Sequence, residues 1–242
     1  MRSLLEIDAV SVSFGGLRAL HNVSFAVPEG IVMGIMGPNG AGKTTLFNVI
    51  SGFLVPSGGS VRFRSAPITG ERPHALCKQG MARTFQIAKP FPELTVLETV
   101  RIGALNRVAG IEEATERAIA IIEEVGLAEK AAQPGKHLTV VERKRLEFAR
   151  ALATQPALLL LDEVAAGLRP NEIQVIVGLI RNAAAKGVTV LMIEHIMEAI
   201  LSASSRIVLL NHGEVLGEGA PQDIVKNRSV IDPYLGTDWA RA

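Results

Sequence analysis

The run Gly37-Pro38-Asn39-Gly40-Ala41-Gly42-Lys43-Thr44 fits G-x-x-x-x-G-K-[ST], a spacing suited to holding phosphate. Its glycines let consecutive main-chain N–H groups converge on phosphate oxygens, and a helix N-terminus behind them adds positive potential. Lys43 then reaches the terminal phosphates, the Thr44 hydroxyl is a ligand for magnesium, and Thr45 completes the nucleotide-binding set. A second group follows the apolar run 158–161, where Asp162-Glu163 puts two carboxylates at the end of a buried strand, the place where doubly wound sheets carry ligands. Beside a phosphate loop, Asp162 is the natural partner of magnesium and Glu163 the natural base for polarising an attacking water. A third apolar run, 188–193, ends in Glu194-His195. Each piece has an ordinary explanation when taken alone: a glycine turn, a solvated loop start, a surface histidine. The phosphate loop in its strand-to-helix setting changes the reading of the other two.

The elements that must position these groups follow from periodicity. Residues 31–36 are almost wholly apolar and enter the glycine-rich loop, after which Leu46, Phe47, Val49 and Ile50 recur at helical spacing. Residues 4–27 alternate apolar and polar positions around Gly15-Gly16, which predicts a two-stranded antiparallel start. Runs 157–161 and 188–193 carry apolar residues on both faces, as buried parallel strands do. From about residue 85 to 155 strand signals fade and helices dominate, including 112–125 with a glycine stop at Gly126. The tail from Gly213 reads as short elements with turns at Gly217, Gly219 and Pro221. The expectation is one domain of 242 residues. Its class is α/β, a P-loop NTPase core and antiparallel β lobe from 1–85 and 156–242, with 86–155 as an inserted helical lobe.

Composition narrows the partners. The 25 Lys and Arg against 24 Asp and Glu leave a net charge of +1, so no bulk field advertises nucleic acid or an acidic membrane. Cys77 is the sole cysteine and cannot close an intrachain bridge, which fits a reducing compartment. Glu6 and Asp8 fall inside what would be the apolar stretch of a signal peptide, so secretion is not expected. Although 48% of the residues are hydrophobic, no run approaches the roughly 20 apolar residues that span a bilayer.

The order of phosphate loop, Phe85-Gln86, helical stretch, 158–163 and Glu194-His195 resembles the nucleotide-binding subunit of ABC transporters over essentially the whole chain. The resemblance implies that Phe14 stacks on adenine, that Gln86 contacts magnesium and the reacting water while sensing a membrane partner, and that His195 holds the γ-phosphate. Ala82-Arg83-Thr84-Phe85-Gln86, Phe91-Pro92, Leu94-Thr95-Val96-Leu97-Glu98, Ala165-Ala166-Gly167-Leu168 and Pro233-Tyr234-Leu235-Gly236 are similar to the branched-chain amino acid importer branch. That branch implies MgATP as substrate and a cytoplasmic position, peripheral on the inner face of the membrane. It also implies permease subunits docked near the apolar run 87–97, a second ATP-binding subunit, indirectly a solute-binding protein, and no nucleic acid. A regulatory ATP-binding module with little turnover is the rival reading. A soluble relative acting on DNA or ribosomes would bring a second cassette or a coiled-coil insertion.

Two departures from the family pattern stand out. The Leu-Ser-Gly-Gly-Gln signature, which closes over ATP held by the opposite subunit, is here Leu138-Thr139-Val140-Val141-Glu142. Thr139 and Glu142 keep an S/T-x-x-E capping box, so the helix that presents Leu146, Ala149 and Leu152 should start in the same place. The valines restrict close approach of a phosphate, and Glu142 adds negative charge where the family has a neutral amide. A heterodimer with a partner of intact signature is therefore expected. The second departure is Arg169, where the family often has Asp.

Overall fold

A computed structural model describes residues 2–84 and 91–226. In chain order the elements are β1 (Ser3–Phe14), β2 (Leu17–Pro28), β3 (Val32–Met36), α1 (Lys43–Ile50), β4 (Gly58–Phe63), β5 (Ala66–Pro67), α2 (Pro73–Gln79) and β6 (Met81–Arg83). There follow α3 (Val96–Ala104), α4 (Ile111–Glu124), α5 (Val140–Ala153), β7 (Leu158–Asp162), α6 (Pro170–Ala185), β8 (Thr189–Ile193), α7 (Met197–Ala203), β9 (Arg206–Asn211), β10 (Glu214–Gly219) and α8 (Pro221–Lys226).

The strands form two sheets. The first, ordered β2-β1-β4-β5, is antiparallel throughout, and its leading pair turns at Gly15-Gly16 with Phe14 opposite Leu17. The second runs β10-β9-β3-β8-β7-β6 and is parallel except at the β9–β10 edge. Every residue of β3, β7 and β8 is buried, as their two-sided apolar runs predict. The alternation of strand side chains places two large apolar clusters on opposite faces of this sheet, with a smaller third around Met36, Ile200 and Leu209. Leu159, Leu161, Val190 and Met192 join α3 to α6 on one face, while Leu158, Leu160, Leu191 and Ile193 join α1 and the antiparallel sheet on the other. Each such fully buried side chain contributes about 1.5–3 kcal/mol, so the strand ends that carry the acids are firmly held.

The helical stretch is anchored by caps and close packing. Thr95 caps α3 through Glu98, accepting its N–H at 3.1 Å while the Glu98 carboxylate accepts the Thr95 N–H at 2.8 Å. Helices α3 and α5 meet at Gly103, where a β-carbon would lie 2.4 Å from the Arg150 carbonyl oxygen. Only glycine allows that approach. Among the described residues no helix is long and apolar enough to cross a membrane.

The structure corrects one sequence expectation. Gly217 and Gly219 are not turns but members of β10, whose register with β9 slips between Val215 and Gly217, and Pro221 opens α8. Two glycines mimic a turn in sequence, yet in an edge strand they mark a bulge. Of the apolar run 87–97, Val96 is fully buried as the first residue of α3, Phe91 is solvent-facing, and 87–90 lie outside the described residues.

Candidate functional site

The phosphate loop connects the buried β3 to α1, and its backbone is set by contacts with the antiparallel sheet. Gly42 takes φ +99°, and a β-carbon there would lie 2.6 Å from the Ala19 carbonyl oxygen of β2. Ala41 donates its N–H to Pro38 at 3.1 Å, and its carbonyl accepts the Gly213 N–H at 3.0 Å. Gly37 and Ala41 are buried, Pro38, Gly42 and Thr45 half-buried, and Asn39, Gly40 and Thr44 exposed. With glycine as N-cap and no acid in its first turn, α1 has no side chain of its own occupying its N-terminus. That leaves the first-turn N–H groups for an anion.

Lys43 is only 7% exposed and folds back over the loop. Its Nζ donates to the carbonyl of Gly37 and, at 2.9 Å, to that of Pro38. Burial pushes its ammonium below the ordinary 10.5, against the opposing pull of Glu163 and then Asp162. The two acids at the end of β7 therefore act on the lysine through the same space, which is the convergence the separate sequence motifs predict.

Asp162 closes β7 and is 5% exposed. Its Oδ2 accepts Arg83 Nη2 at 2.9 Å, and Arg83 Nη1 donates to Asn48 Oδ1 at 2.8 Å and Ser51 Oγ at 2.7 Å. Glu163 has left-handed backbone, φ +49°, unusual for a residue with a β-carbon. Two main-chain bonds hold that shape: its N–H donates to Ile193 at 2.9 Å, and its carbonyl accepts Lys144 Nζ at 3.1 Å. His195 Nδ1 stands 3.9 Å from Glu163 Oε2, an ionic rather than hydrogen-bonding distance, with its side chain 53% exposed.

Glu194 is buried, accepts the Ala165 N–H at 2.6 Å and so fastens the loop after Glu163 to β8. Burial raises its carboxyl above the usual range. Arg83, Lys144 and Glu194 thus support the acids, and sequence reading assigned none of them a role. Arg83 was visible only as one letter of a family string, Lys144 as one of several bases on α5, and Glu194 as the neighbour of His195.

The other sequence candidates lie apart from this cluster. Phe14, 52% exposed, sits at the tip of the β1–β2 hairpin, whose second strand reaches the phosphate loop through Ala19 and Leu20. Gln86 lies outside the described residues. Thr139 and Glu142 form the expected capping box at the start of α5: the Thr139 N–H donates to Glu142 Oε2 at 2.8 Å and its hydroxyl does so at 3.0 Å, with Lys130 Nζ 3.4 Å from the other carboxylate oxygen. The Thr139 main-chain bond leads in holding the Glu142 carboxyl below its ordinary range. Val140 is half exposed at the same helix end. Arg169 donates its N–H to Glu172 at 2.8 Å where α6 begins.

One hydroxyl, Thr44, and one buried carboxylate, Asp162, fit magnesium, which is held by few protein ligands and completes its shell with water and substrate phosphate. Among the described residues no cluster of three or more His, Cys, Asp or Glu offers an all-protein metal cage.

The family model described as ABC transporter matches residues 20–166. The high-affinity branched-chain amino acid transport ATP-binding protein BraF of Pseudomonas aeruginosa is 39% identical, the alignment covering 97% of this chain and 98% of that protein. Among solved structures, the ADP conformation of an ATP-binding cassette of an ABC transporter superimposes with a TM-score of 0.89 at 31% identity, covering 98% of this chain and all of that one. A dimeric ATP-binding cassette in a post-hydrolysis state, bound to ADP and Pi, gives 0.80 at 27% identity over 90% of this chain and 98% of that one. The fold, the phosphate loop with its paired acids, and similarity along nearly the full length converge on one answer: the chain belongs to the ABC transporter family.

Proposed function

We propose that the chain is the ATP-binding and ATP-hydrolysing subunit of an importer of branched-chain amino acids or related small solutes. It works on the cytoplasmic face of the membrane, docked on permease subunits and fed indirectly by a solute-binding protein. The observation that carries this reading is the placement of Asp162 and Glu163, on one strand end, within electrostatic reach of Lys43 in the phosphate loop. Similarity to a transport ATP-binding protein over 97% of the chain supports the solute class.

In this reading the N–H groups from Gly37 to Thr45 and the Lys43 ammonium bind the β- and γ-phosphates of ATP. Lys43 leaves the carbonyls of Gly37 and Pro38 for phosphate oxygens, which restores favourable surroundings to a buried charge. Thr44 and Asp162 would hold magnesium, which would supply positive charge against that developing on the phosphate. Glu163, kept in its strained backbone by Ile193 and Lys144, accepts a hydrogen bond from the attacking water and aligns it with the γ-phosphate. His195 would turn from Glu163 toward the γ-phosphate and Phe14 would stack on adenine, and the family resemblance gives Gln86, outside the described residues, a role toward magnesium and the water.

The second subunit is a different chain. At α5 the helix end that would face a partner's ATP is occupied by this chain's own Glu142, bonded to Thr139 and paired with Lys130. An anion already seated on a helix N-terminus opposes a second one. The same observation favours, as a second reading, a regulatory module that closes on ATP and turns over slowly.

Glu163→Gln separates the two readings. It keeps shape and loses the base, so ATP binding should persist while turnover of the assembled transporter falls by about 10²-fold or more. Turnover of the assembled wild type that is already as slow as the variant's would reject the hydrolytic role.

A further inference from the structure

Arg83 joins regions that the phosphate chemistry alone does not connect. It closes β6, its side chain is 8% exposed, and its donors are divided between two elements. One nitrogen bonds Asp162 on β7; the other bonds Asn48 in the last turn of α1 and Ser51 just beyond it. The guanidinium carbon lies 5.6 Å from the centroid of the buried Phe47 ring and 5.7 Å from that of Phe53. Phe53 is itself more than half exposed. Phe53 and Arg83 help line a cavity of about 410 Å³, with Met81, Phe91, Ile102 and Arg150 among the other walls.

We infer that Arg83 is a positioning residue for Asp162, and that Phe53, on the cavity wall, holds Arg83 in place for that task. The inference rests on the reading of Asp162 as the magnesium acid. A carboxylate is planar, so fixing Oδ2 also fixes the direction of Oδ1. The guanidinium is a rigid fork, and a lysine in its place would present a rotating point charge. The grip on Asn48 and Ser51 refers that fork to α1, the same helix whose first turn carries Lys43 and Thr44. Thr44 and Asp162, two of the three proposed protein ligands of magnesium, are thereby set from opposite ends of one eight-residue helix.

Two effects of Arg83 on a cation beside Asp162 have opposite sign. Its charge repels the metal, and its bonds orient the ligand. Loss of a group that orients a metal ligand weakens metal affinity by roughly 10- to 100-fold, so orientation is expected to dominate. The test is calorimetric titration of the full chain with a non-hydrolysable ATP analogue over a range of Mg²⁺ concentrations.

Arg83→Gln should raise the Mg²⁺ needed for half-maximal binding by about 10-fold or more, and leave binding without Mg²⁺ within about 2-fold. Arg83→Lys should recover only part of this, and Phe53→Ala should shift the requirement in the same direction by a smaller factor. An ion pair serving stability alone would lower the melting temperature without moving the Mg²⁺ requirement. That result, or a lowered requirement, in Arg83→Gln overturns the positioning role, provided Asp162→Asn raises the requirement. An unchanged requirement in Phe53→Ala overturns the role given to Phe53. If Asp162→Asn also leaves it unchanged, the assignment of Asp162 itself is wrong. Should Arg83→Gln not fold, the double change Asn48→Ala with Ser51→Ala keeps the ion pair and removes the grip of α1. A raised requirement there supports the inference, and an unaltered one rejects it.

Discussion

Lys144 of α5 donates a 3.1 Å hydrogen bond to the main-chain carbonyl of Glu163, so the helix that begins at the Thr139 cap is bonded to the residue with the strained backbone at the end of β7. The lysine is half-buried. Burial lowers its ammonium below the ordinary 10.5, while Glu194 and then Glu163 act in the opposite direction. This half-buried ammonium holds Glu163 by its main-chain carbonyl rather than by its carboxylate.

Lys144→Met keeps the aliphatic stem and removes that bond. Turnover of the assembled transporter should fall by about 10- to 100-fold through misplacement of Glu163, with ATP affinity unchanged within about 2-fold. Equal losses in binding and turnover would show instead that Lys144 supports the phosphate loop.

The pH dependence of stability follows from the lysines. Lys43 and Lys144 both have folded-state values below 10.5, so between those lowered values and 10.5 the unfolded chain binds more protons than the native one. Stability therefore rises with pH in that alkaline window. Lys43→Met should flatten the rise and be more stable than wild type below the window, where the wild type must bury the charge. Urea denaturation of both proteins across the window measures this. Equal slopes would mean that the loop carbonyls of Gly37 and Pro38 fully offset the burial.

The signature segment gives opposing effects on stability and activity. Val140→Gly with Val141→Gly and Glu142→Gln should raise the ATPase rate of the isolated chain, by opening the helix end to a partner's phosphate. The same change should destabilise the fold by about 1–2 kcal/mol, because glycine in a helix costs up to about 1 kcal/mol relative to alanine. A steady-state ATPase assay and a melting curve read the two arms. A brisk wild type that the triple change does not improve would remove the case for an unequal dimer.

Thr139→Ala isolates the cap. It removes the hydroxyl that accepts the Glu142 N–H at 3.3 Å and should cost about 1 kcal/mol of stability. It should also loosen Glu142 and return its carboxyl only part of the way toward the ordinary range, because the Thr139 N–H bond that leads in lowering it remains. Denaturation measures the first effect, and NMR titration of the Glu142 side chain the second.

What the sequence disclosed and what it hid divide along physical lines. The loop from Gly37 to Thr45, the strands β3, β7 and β8 and the caps at Thr139 were legible because each is specified by neighbours in the chain. A two-sided apolar run, a glycine at a tight turn and an S/T-x-x-E box are local statements. Arg83, Lys144 and Glu194 were not legible in the same way. Their bonds reach 79, 19 and 29 residues along the chain; the register of β6, β7 and β8 brings together the partners of Arg83 and Glu194, and the placement of α5 those of Lys144. β6, three residues long, is too short to show a period. The glycines of β10 suggested turns because an edge strand needs little side-chain packing to exist.

Gly103 gives the helical stretch a mechanical property. Where α3 meets α5 no layer of side chains lies between the two backbones, because the space allowed to a β-carbon ends 2.4 Å from the Arg150 carbonyl oxygen. Side chains absorb displacement by changing rotamer; two backbones in contact have no such slack. Ile102 and Gly103 border the cavity beside Phe53, and α5 carries Lys144, so the cavity wall and the residue bonded to the Glu163 carbonyl meet at a junction built as a strut rather than a spring.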